Sequence, residues 1–490
     1  MSNSCTENPD CPTSILTLIE DQSRIRPASP AIITPDHVLS FSQMMHAVPL
    51  IARQLLDCGA RPGQLLGVSM GQTPLHLMTI LAIARIGAVS VPVHAQLPQE
   101  RRHLAAHRFA VDWIVSGRPE MEIAGFGFIS LHAIDFSQAL PELPACTSKE
   151  EDPFRIVLSS GTSGDPKGML YSHGYMVDRV RKTNYACSPA GRILPMDLNF
   201  PIGFVFALGM LAEGGCVVLP RQDVLPEYIR LVRATAVTHW LLSPAMAEQI
   251  ADLLVEEDIH FPSLIHLRIV GSTPSPRLLS TLFEKFSAQV FVPYGSTEMG
   301  AVAMAGPDIL RRAPLSAGRV ADWIEAQIVD EQDQPVPTGQ PGRLRLRAAG
   351  MLREYYGNPV QTAARFRDGW YYPQDLARLD DEGLLYLLGR EDEVFNIAGS
   401  KVYFRDLETV LAAYPEVRDV AAFVRGASTA RPQLAVALVL QPDGGLEAIR
   451  ARATGELGPL SPDYWVQLQA LPRNTNGKIM RDVLTGQLSG

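Results

Sequence analysis

Between Leu65 and Val93 the chain reads strand, helix, strand, and this succession restricts its fold more than any other stretch. Leu65-Leu66-Gly67-Val68-Ser69 is short and apolar, which predicts a buried strand. Thr73-Pro74 opens a helix, Gly87 ends it, and Val89-Ser90-Val91-Pro92-Val93 predicts the next strand. Two strands joined through a helix run parallel, and a parallel sheet is covered by helices, so the fold class is α/β. The pattern recurs at Val217-Val218-Leu219, His239-Trp240-Leu241-Leu242, Leu267-Arg268-Ile269-Val270 and Gln289-Val290-Phe291-Val292, with a helix over 276–286. Ser42 is a candidate cap for the helix that runs through Met44, Val48, Ile51 and Leu55 to Gly59. Residues 1–30 predict a loose arm with one short helix around Ile15–Gln22.

From about Ala313 the texture changes to short strands, at Ala326–Val329 and Arg343–Arg347, which predicts a smaller β-rich lobe. The charged stretch Gly389-Arg390-Glu391-Asp392-Glu393 predicts a linker before a compact α/β tail. At 490 residues one core is not enough, so we expect a large domain over 1–391 and a small mobile one over 392–490. A net charge of −9 argues against nucleic-acid binding. The six cysteines show no metal-ligand spacing and predict reduced thiols in a cytoplasmic protein. The longest apolar run, Phe200 to Ala212, is too short for a membrane span.

The candidate chemistry lies at the ends of the predicted strands. After Phe154-Arg155-Ile156-Val157-Leu158 comes Ser159-Ser160-Gly161-Thr162-Ser163-Gly164-Asp165-Pro166-Lys167-Gly168, three glycines and four hydroxyl residues with one lysine. Its backbone N–H groups, hydroxyls and cation suit a polyphosphate. It is not a Walker loop, where the lysine follows glycine and precedes Ser or Thr. Further on, Gly271-Ser272-Thr273-Pro274 and Tyr294-Gly295-Ser296-Thr297-Glu298 follow strands, as a crevice at the carboxyl edge of a parallel sheet requires. Gly67-Val68-Ser69-Met70-Gly71 matches the nucleophile elbow of α/β-hydrolases, which leaves a hydrolase using Ser69 as a remote alternative.

In order and spacing, these motifs resemble the adenylate-forming superfamily of acyl- and aryl-CoA ligases, nonribosomal peptide adenylation domains and luciferases, over residues 40–485. The resemblance implies ATP and Mg²⁺ as cofactors and roles for individual residues. Ser159, Ser160, Gly161, Thr162, Ser163, Gly164 and Lys167 would hold phosphates. Gly271, Ser272, Thr273, Tyr294 and Gly295 would frame the adenine, Thr297 would lie by the α-phosphate, and Glu298 would hold the metal ion. Asp375 and Arg390 would meet the ribose, although Gln374 stands where most relatives have Gly. Asp392 would be the hinge, Gly399 would line a thiol tunnel, and Lys478 would reach the carboxylate and the α-phosphate. Lys167, Lys478, Thr297 and Glu298 form the implied catalytic set.

The acid pocket would take Asn199, Phe200, Gly203, Ser296 and Gly300. Leu198 to Ala212 contains no acidic residue, and a buried unpaired ammonium is costly, so a neutral aryl or small unsaturated acid is favoured over an α-amino acid. Asn199 before an aromatic residue and Pro201 resembles the aryl-acid-activating members, in which the Asn meets a ring hydroxyl. Asp197 keeps an amino-acid adenylation enzyme as the alternative. The implied activity is carboxylic acid–thiol ligation: the acid and ATP give acyl-AMP and pyrophosphate, and a thiol of CoA or of a carrier-protein phosphopantetheine then takes the acyl group. No nucleic-acid or membrane partner is implied.

Overall fold

The computed structural model describes residues 14–144, 148–159, 167–183, 187–221, 224–254, 260–287, 289–391, 393–397, 400–426, 433–458, 461–473 and 479–488. The chain divides into two compact units. One comprises Met1–Leu241, Phe261–Leu267 and Leu352–Ala363; the other comprises Leu242–His260, Arg268–Met351 and Ala364–Gly490.

In the first unit Leu65–Val68 lies parallel between Val89–Pro92 and Trp113–Ser116, as the strand–helix–strand spacing requires. Gly127–Ser130 and Pro153–Ser159 extend this sheet in parallel, and Lys167–Ser172 closes it as an antiparallel partner of Pro153–Ser159. The intervening helix, Pro74–Arg85, starts as expected: the Thr73 hydroxyl accepts the His76 N–H and Pro74 takes the first turn. A second sheet runs in the order Val38–Ser40, Pro30–Ile33, Cys216–Val218, Arg192–Leu194, His239–Leu242. The apolar run after Phe200 is the helix Pro201–Ala212, buried from Gly203 through Ala212. A helix apolar on every side is a core element.

One cap differs from expectation. The helix Phe41–Asp57 is capped by Ser40, not Ser42. The Ser40 hydroxyl accepts from the Gln43 N–H at 3.2 Å, and the Gln43 side chain accepts from the Ser40 N–H at 2.9 Å. This reciprocal box needs Glu or Gln three residues after the cap; Ser40 has Gln43 there, whereas Ser42 would have Met45.

In the second unit the texture turns antiparallel. Gly300–Ala305 pairs with Val290–Ser296 and with Gly318–Val320, which in turn pairs with Leu384–Arg390. Asp375–Leu379, Gly342–Ala348 and Ile324–Val329 continue the array. Val302, Leu344, Leu346 and Leu385 form its apolar core. Gly389 and Arg390, expected in a linker, close the strand Leu384–Arg390, and Asp392 lies outside the described residues.

The tail builds a sheet from Val417–Arg425, Gln433–Leu440 and Tyr464–Gln467. Successive side chains alternate between two cores. Ala422, Leu434, Val436 and Leu438 meet Leu407, Leu411 and Trp465 on one face, while Ala421, Phe423, Ala435 and Ala437 meet Leu471 and Leu484 on the other. Among the described residues no helix is long and apolar enough to cross a membrane.

A charge cluster joins the helix Pro244–Leu253 to this tail. Arg418 pairs with Asp252 at 2.5 Å, and Arg473 pairs with Asp419 at 2.8 Å. Burial, reinforced by Asp419, pushes the Glu248 carboxyl up to about 7 from its ordinary 4.5, against the pull of Arg473 and Arg418. The folded protein therefore holds this proton more tightly than the unfolded chain. The resulting stabilisation is complete below the unfolded value of 4.5 and is lost as the pH rises through about 7. Glu248→Gln cannot ionise, so it is expected to exceed the wild type in stability at pH 8 by on the order of 2 kcal/mol, and to match it at pH 4. Denaturant titrations at both pH values check this; an equal difference at both would contradict it.

Candidate functional site

The glycine- and hydroxyl-rich loop joins two strands of a hairpin. Ser159, the last residue of Pro153–Ser159, pairs with Lys167, the first residue of Lys167–Ser172. A strand and not a helix begins at the lysine, which excludes the Walker arrangement on structure as well as on sequence. The Lys167 ammonium stands 5.3 Å from the centroid of the Tyr355 ring, and the carbonyl of Gly168 accepts from the Tyr356 N–H at 2.8 Å. Ser160, Gly161, Thr162, Ser163, Gly164, Gly399, Lys478 and the hinge candidate Asp392 lie outside the described residues, as does the Ser159 side chain.

In the second unit, residues far apart in sequence converge. The Tyr294 phenol donates to one oxygen of the Asp375 carboxylate, and Arg390 Nη1 donates to the other at 3.3 Å. Asp375 and Arg390 sit opposite each other on antiparallel strands, which is why fifteen residues of separation leave them in contact. Burial, reinforced by the Asp375 charge, pushes the Tyr294 phenol far above its ordinary value, so it remains a donor. Just before Asp375, Gln374 holds φ at +64°, the left-handed backbone that glycine adopts without strain. The departure from the usual Gly has thus kept the turn, and the Gln374 carbonyl accepts from the Glu391 N–H at 2.9 Å.

Tyr294 belongs to the hairpin Val290–Ser296/Gly300–Ala305, whose turn carries Thr297 and Glu298. Gly295 has no substitute, because a Cβ there would lie 2.1 Å from the Gly300 carbonyl oxygen. Ser296 Oγ accepts from the Met299 N–H at 3.2 Å and tightens the turn. Glu298 is only 5% exposed, so its carboxylate is largely withdrawn from water. Gly271 has φ +95°, and the chain passes through Ser272 and Thr273 to Ser275, the cap of the helix Pro276–Lys285.

Of the candidate acid-pocket residues, Asn199, Phe200 and Gly203 lie in the first unit, beside a residue that the sequence did not single out, while Ser296 and Gly300 belong to the second. His94 Nε2 approaches one oxygen of Asp197 at 3.1 Å, while the other oxygen accepts the N–H and the side-chain amide of Asn199, both at 2.8 Å. The Gln96 N–H donates to His94 Nδ1 at 3.2 Å, so in the neutral ring Nε2 carries the proton. Burial opposes charge on Asp197, but the bonds from His94 and Asn199 outweigh it and hold the carboxyl below its ordinary value. His94 follows the strand Val89–Pro92, and a polar side chain at the carboxyl end of a predicted strand was the signal available for it. Its ring centroid is 5.4 Å from that of Phe200. At Gly203 the helix passes so close that a Cβ would stand 2.2 Å from the Asp197 carbonyl oxygen.

The structure bears on two expectations here. Asn199 spends its amide donors on Asp197 and on the Met70 carbonyl at 3.2 Å, so its unused atom is the oxygen, an acceptor. Both of those partners can only accept, which fixes the amide orientation. Ser69, the candidate nucleophile, is fully buried, and its hydroxyl has no hydrogen-bond partner among the described residues. With no base against it, the hydrolase reading has no support.

The geometry is matched by kinship. The chain is 27% identical to tyrocidine synthase 3 of Brevibacillus parabrevis over 95% of its length, and spans only 8% of that protein. Its fold superposes on the anthranilate CoA ligase AuaEII in complex with anthranoyl-AMP with a TM-score of 0.86, at 20% identity and 98% coverage of each chain. It also superposes on the O-succinylbenzoate coenzyme A synthetase of Bacillus subtilis in complex with ATP and magnesium ion, with a TM-score of 0.83, at 20% identity and 96% and 99% coverage. Residues 19–356 match the AMP-binding enzyme family, and the chain belongs to that family, within the adenylate-forming superfamily.

Proposed function

We propose that this chain is a carboxylic acid–thiol ligase that activates an aryl or small acyl acid with ATP and passes it to CoA or to a carrier-protein phosphopantetheine. The observation that carries this reading is the Tyr294–Asp375–Arg390 constellation. Asp375 is pre-oriented by two donors and can accept from ribose hydroxyls. The donor set also fits a magnesium ion. Glu298 offers carboxylate oxygens, the hard donors that Mg²⁺ takes one or two of while phosphates and water complete its shell. Glu298 would hold the ion, which supplies positive charge to the triphosphate.

The first half-reaction brings a carboxylate against a polyanion. Two unit charges ~4 Å apart repel by ~1 kcal/mol in water and by ~4 kcal/mol at an effective dielectric of 20. Lys167 would bear on the phosphates, and Lys478 on the carboxylate and the α-phosphate. Such transfer chemistry rests on positioning and charge more than on proton movement. The amino-acid alternative is kept by Asp197, whose oxygen facing His94 has a further lone pair for an ammonium.

Acid-dependent exchange of pyrophosphate into ATP tests the proposal. Exchange should appear with some members of a panel of aryl and short acyl acids, followed by thioester formation with CoA or with a phosphopantetheinylated carrier. No exchange with any acid would refute adenylation; exchange confined to α-amino acids would refute the acid assigned here.

A further inference from the structure

We propose that Tyr355 is a positioning residue for Lys167: the face of its ring holds the ammonium in place for the triphosphate. This rests on the adenylation reading above, in which Lys167 bears on the phosphates of ATP.

The segment Leu352–Ala363 belongs to the first unit, although the chain on either side of it belongs to the second. Within the first unit it lies against the start of the strand Lys167–Ser172, and two successive residues meet two successive residues. Lys167 Nζ stands 5.3 Å from the centroid of the Tyr355 ring, and the Tyr356 N–H donates to the Gly168 carbonyl at 2.8 Å. The Tyr356 ring centroid is 6.4 Å from that of Phe109. Phe109 in turn presses on Gly168 so closely that a Cβ on the glycine would stand 2.3 Å from its ring. The segment is also fixed from within. The Tyr355 N–H donates to Thr362 Oγ1 at 2.9 Å, and that hydroxyl donates to the Asn358 carbonyl at 2.8 Å. Asn358 Oδ1 accepts from the Gln361 N–H at 3.1 Å. Tyr355 is 3% exposed, so its ring is a buried surface on a tethered backbone.

A lysine needs such a surface if its charge is to sit at one place. Its four-carbon stem is flexible, and ordering it costs rotamer freedom. A ring face within about 6 Å attracts an ammonium through its quadrupole, and more strongly where water is excluded. The ring supplies no counter-charge, so the cation keeps its full charge for a polyanion, whereas a carboxylate in the same place would cancel it. A contact made before ATP arrives bears part of the ordering in advance, which is how a preorganised donor gains over a floppy one. The glycine-rich hairpin and the distant segment around Tyr355 therefore act as one device, in which Gly168 and Tyr356 set the register and Tyr355 aims the charge.

Pyrophosphate exchange at varied ATP tests this, with the two side chains changed singly and together. Tyr355→Leu should lower kcat/KM for ATP about tenfold, the size of one desolvated cation–π contact, while KM for the acid stays within about twofold. Tyr355→Phe, which keeps the ring face, should recover most of that loss. In a Lys167→Met background Tyr355→Leu should cost less than about threefold, because the cation that the ring serves is gone. An unaltered kcat/KM in Tyr355→Leu, an equal loss in both backgrounds, or a Phe variant no better than the Leu variant overturns the proposal. If Tyr355→Leu does not fold, fluorinated phenylalanines at position 355 keep the shape and weaken the ring face. Then kcat/KM for ATP should fall stepwise with each added fluorine, and a flat series overturns the proposal equally. Should no acid support exchange, the ligase reading fails, and calorimetric titration of the same variants with ATP and Mg²⁺ decides the Tyr355 proposal separately. Affinity losses that do not multiply in the double variant support it; independent losses, or no binding to the wild type, overturn it.

Discussion

Lys478→Ala is expected to slow acyl-adenylate formation by about 10²–10³-fold, the range found when one charge-stabilising donor is removed from a transition state. The reasoning is electrostatic. The attacking carboxylate and the α-phosphate must share a small volume, and the mutual repulsion peaks in the transition state, so a cation placed there lowers the barrier more than it tightens substrate binding. Once pyrophosphate has left, the mixed anhydride carries far less charge, and the lysine has no comparable task. Thioester formation from supplied acyl-adenylate should therefore persist in the variant. Single-turnover measurement of each half-reaction checks this, and equal losses in both would contradict the assignment.

Asp375→Ala should damage both stability and ATP use. The substitution removes the carboxylate that the Tyr294 phenol and the Arg390 guanidinium both donate to. The Asp375 and Arg390 side chains are only 15% and 22% exposed, so water replaces the lost carboxylate poorly. At about 1–3 kcal/mol for each buried donor left unsatisfied, a loss on the order of 3 kcal/mol is expected. KM for ATP should rise at least tenfold while KM for the acid changes little, since the proposal assigns the lost acceptor to the ribose. Asp375→Asn keeps one acceptor oxygen and should fall between. Denaturant midpoints and the two KM values measure these effects; a stability loss with unchanged KM for ATP would assign Asp375 a structural role alone.

Much of the scaffold was legible because period and punctuation agreed. Leu65–Val68, Pro74–Arg85 and Val89–Pro92 each carry an apolar pattern with its own start and stop residues, and they form the parallel unit that the pattern implies. Tyr294, Asp375 and Arg390 could be nominated from their motifs, but their convergence depends on strand register, which only the folded sheet supplies. The Ser40 cap was missed because two serines stand two residues apart and only the partner at the third helical position separates them. Asn199 was nominated to meet a ring hydroxyl, but which end of its amide faces a ligand is decided by neighbours such as the Met70 carbonyl, distant in sequence.

The hairpin that carries Tyr294 also limits how this gene can change length. Tyr294 pairs with Ala303 while Gly295 pairs with Ala301, so Val302 is an extra residue accommodated by a bulge, and it is fully buried. Deleting Val302 itself would heal the bulge and leave Ala303 opposite Tyr294 and Ala301 opposite Gly295, whereas a residue inserted into either strand beside it would slip every pairing beyond by one position. Such a slip would turn Tyr294 toward the opposite face of the sheet, away from Asp375. Insertions between 290 and 305 should therefore be purged from a length-randomised library far more strongly than those in the turn around Thr338-Gly339, where a Cβ on the glycine meets nothing within 4 Å.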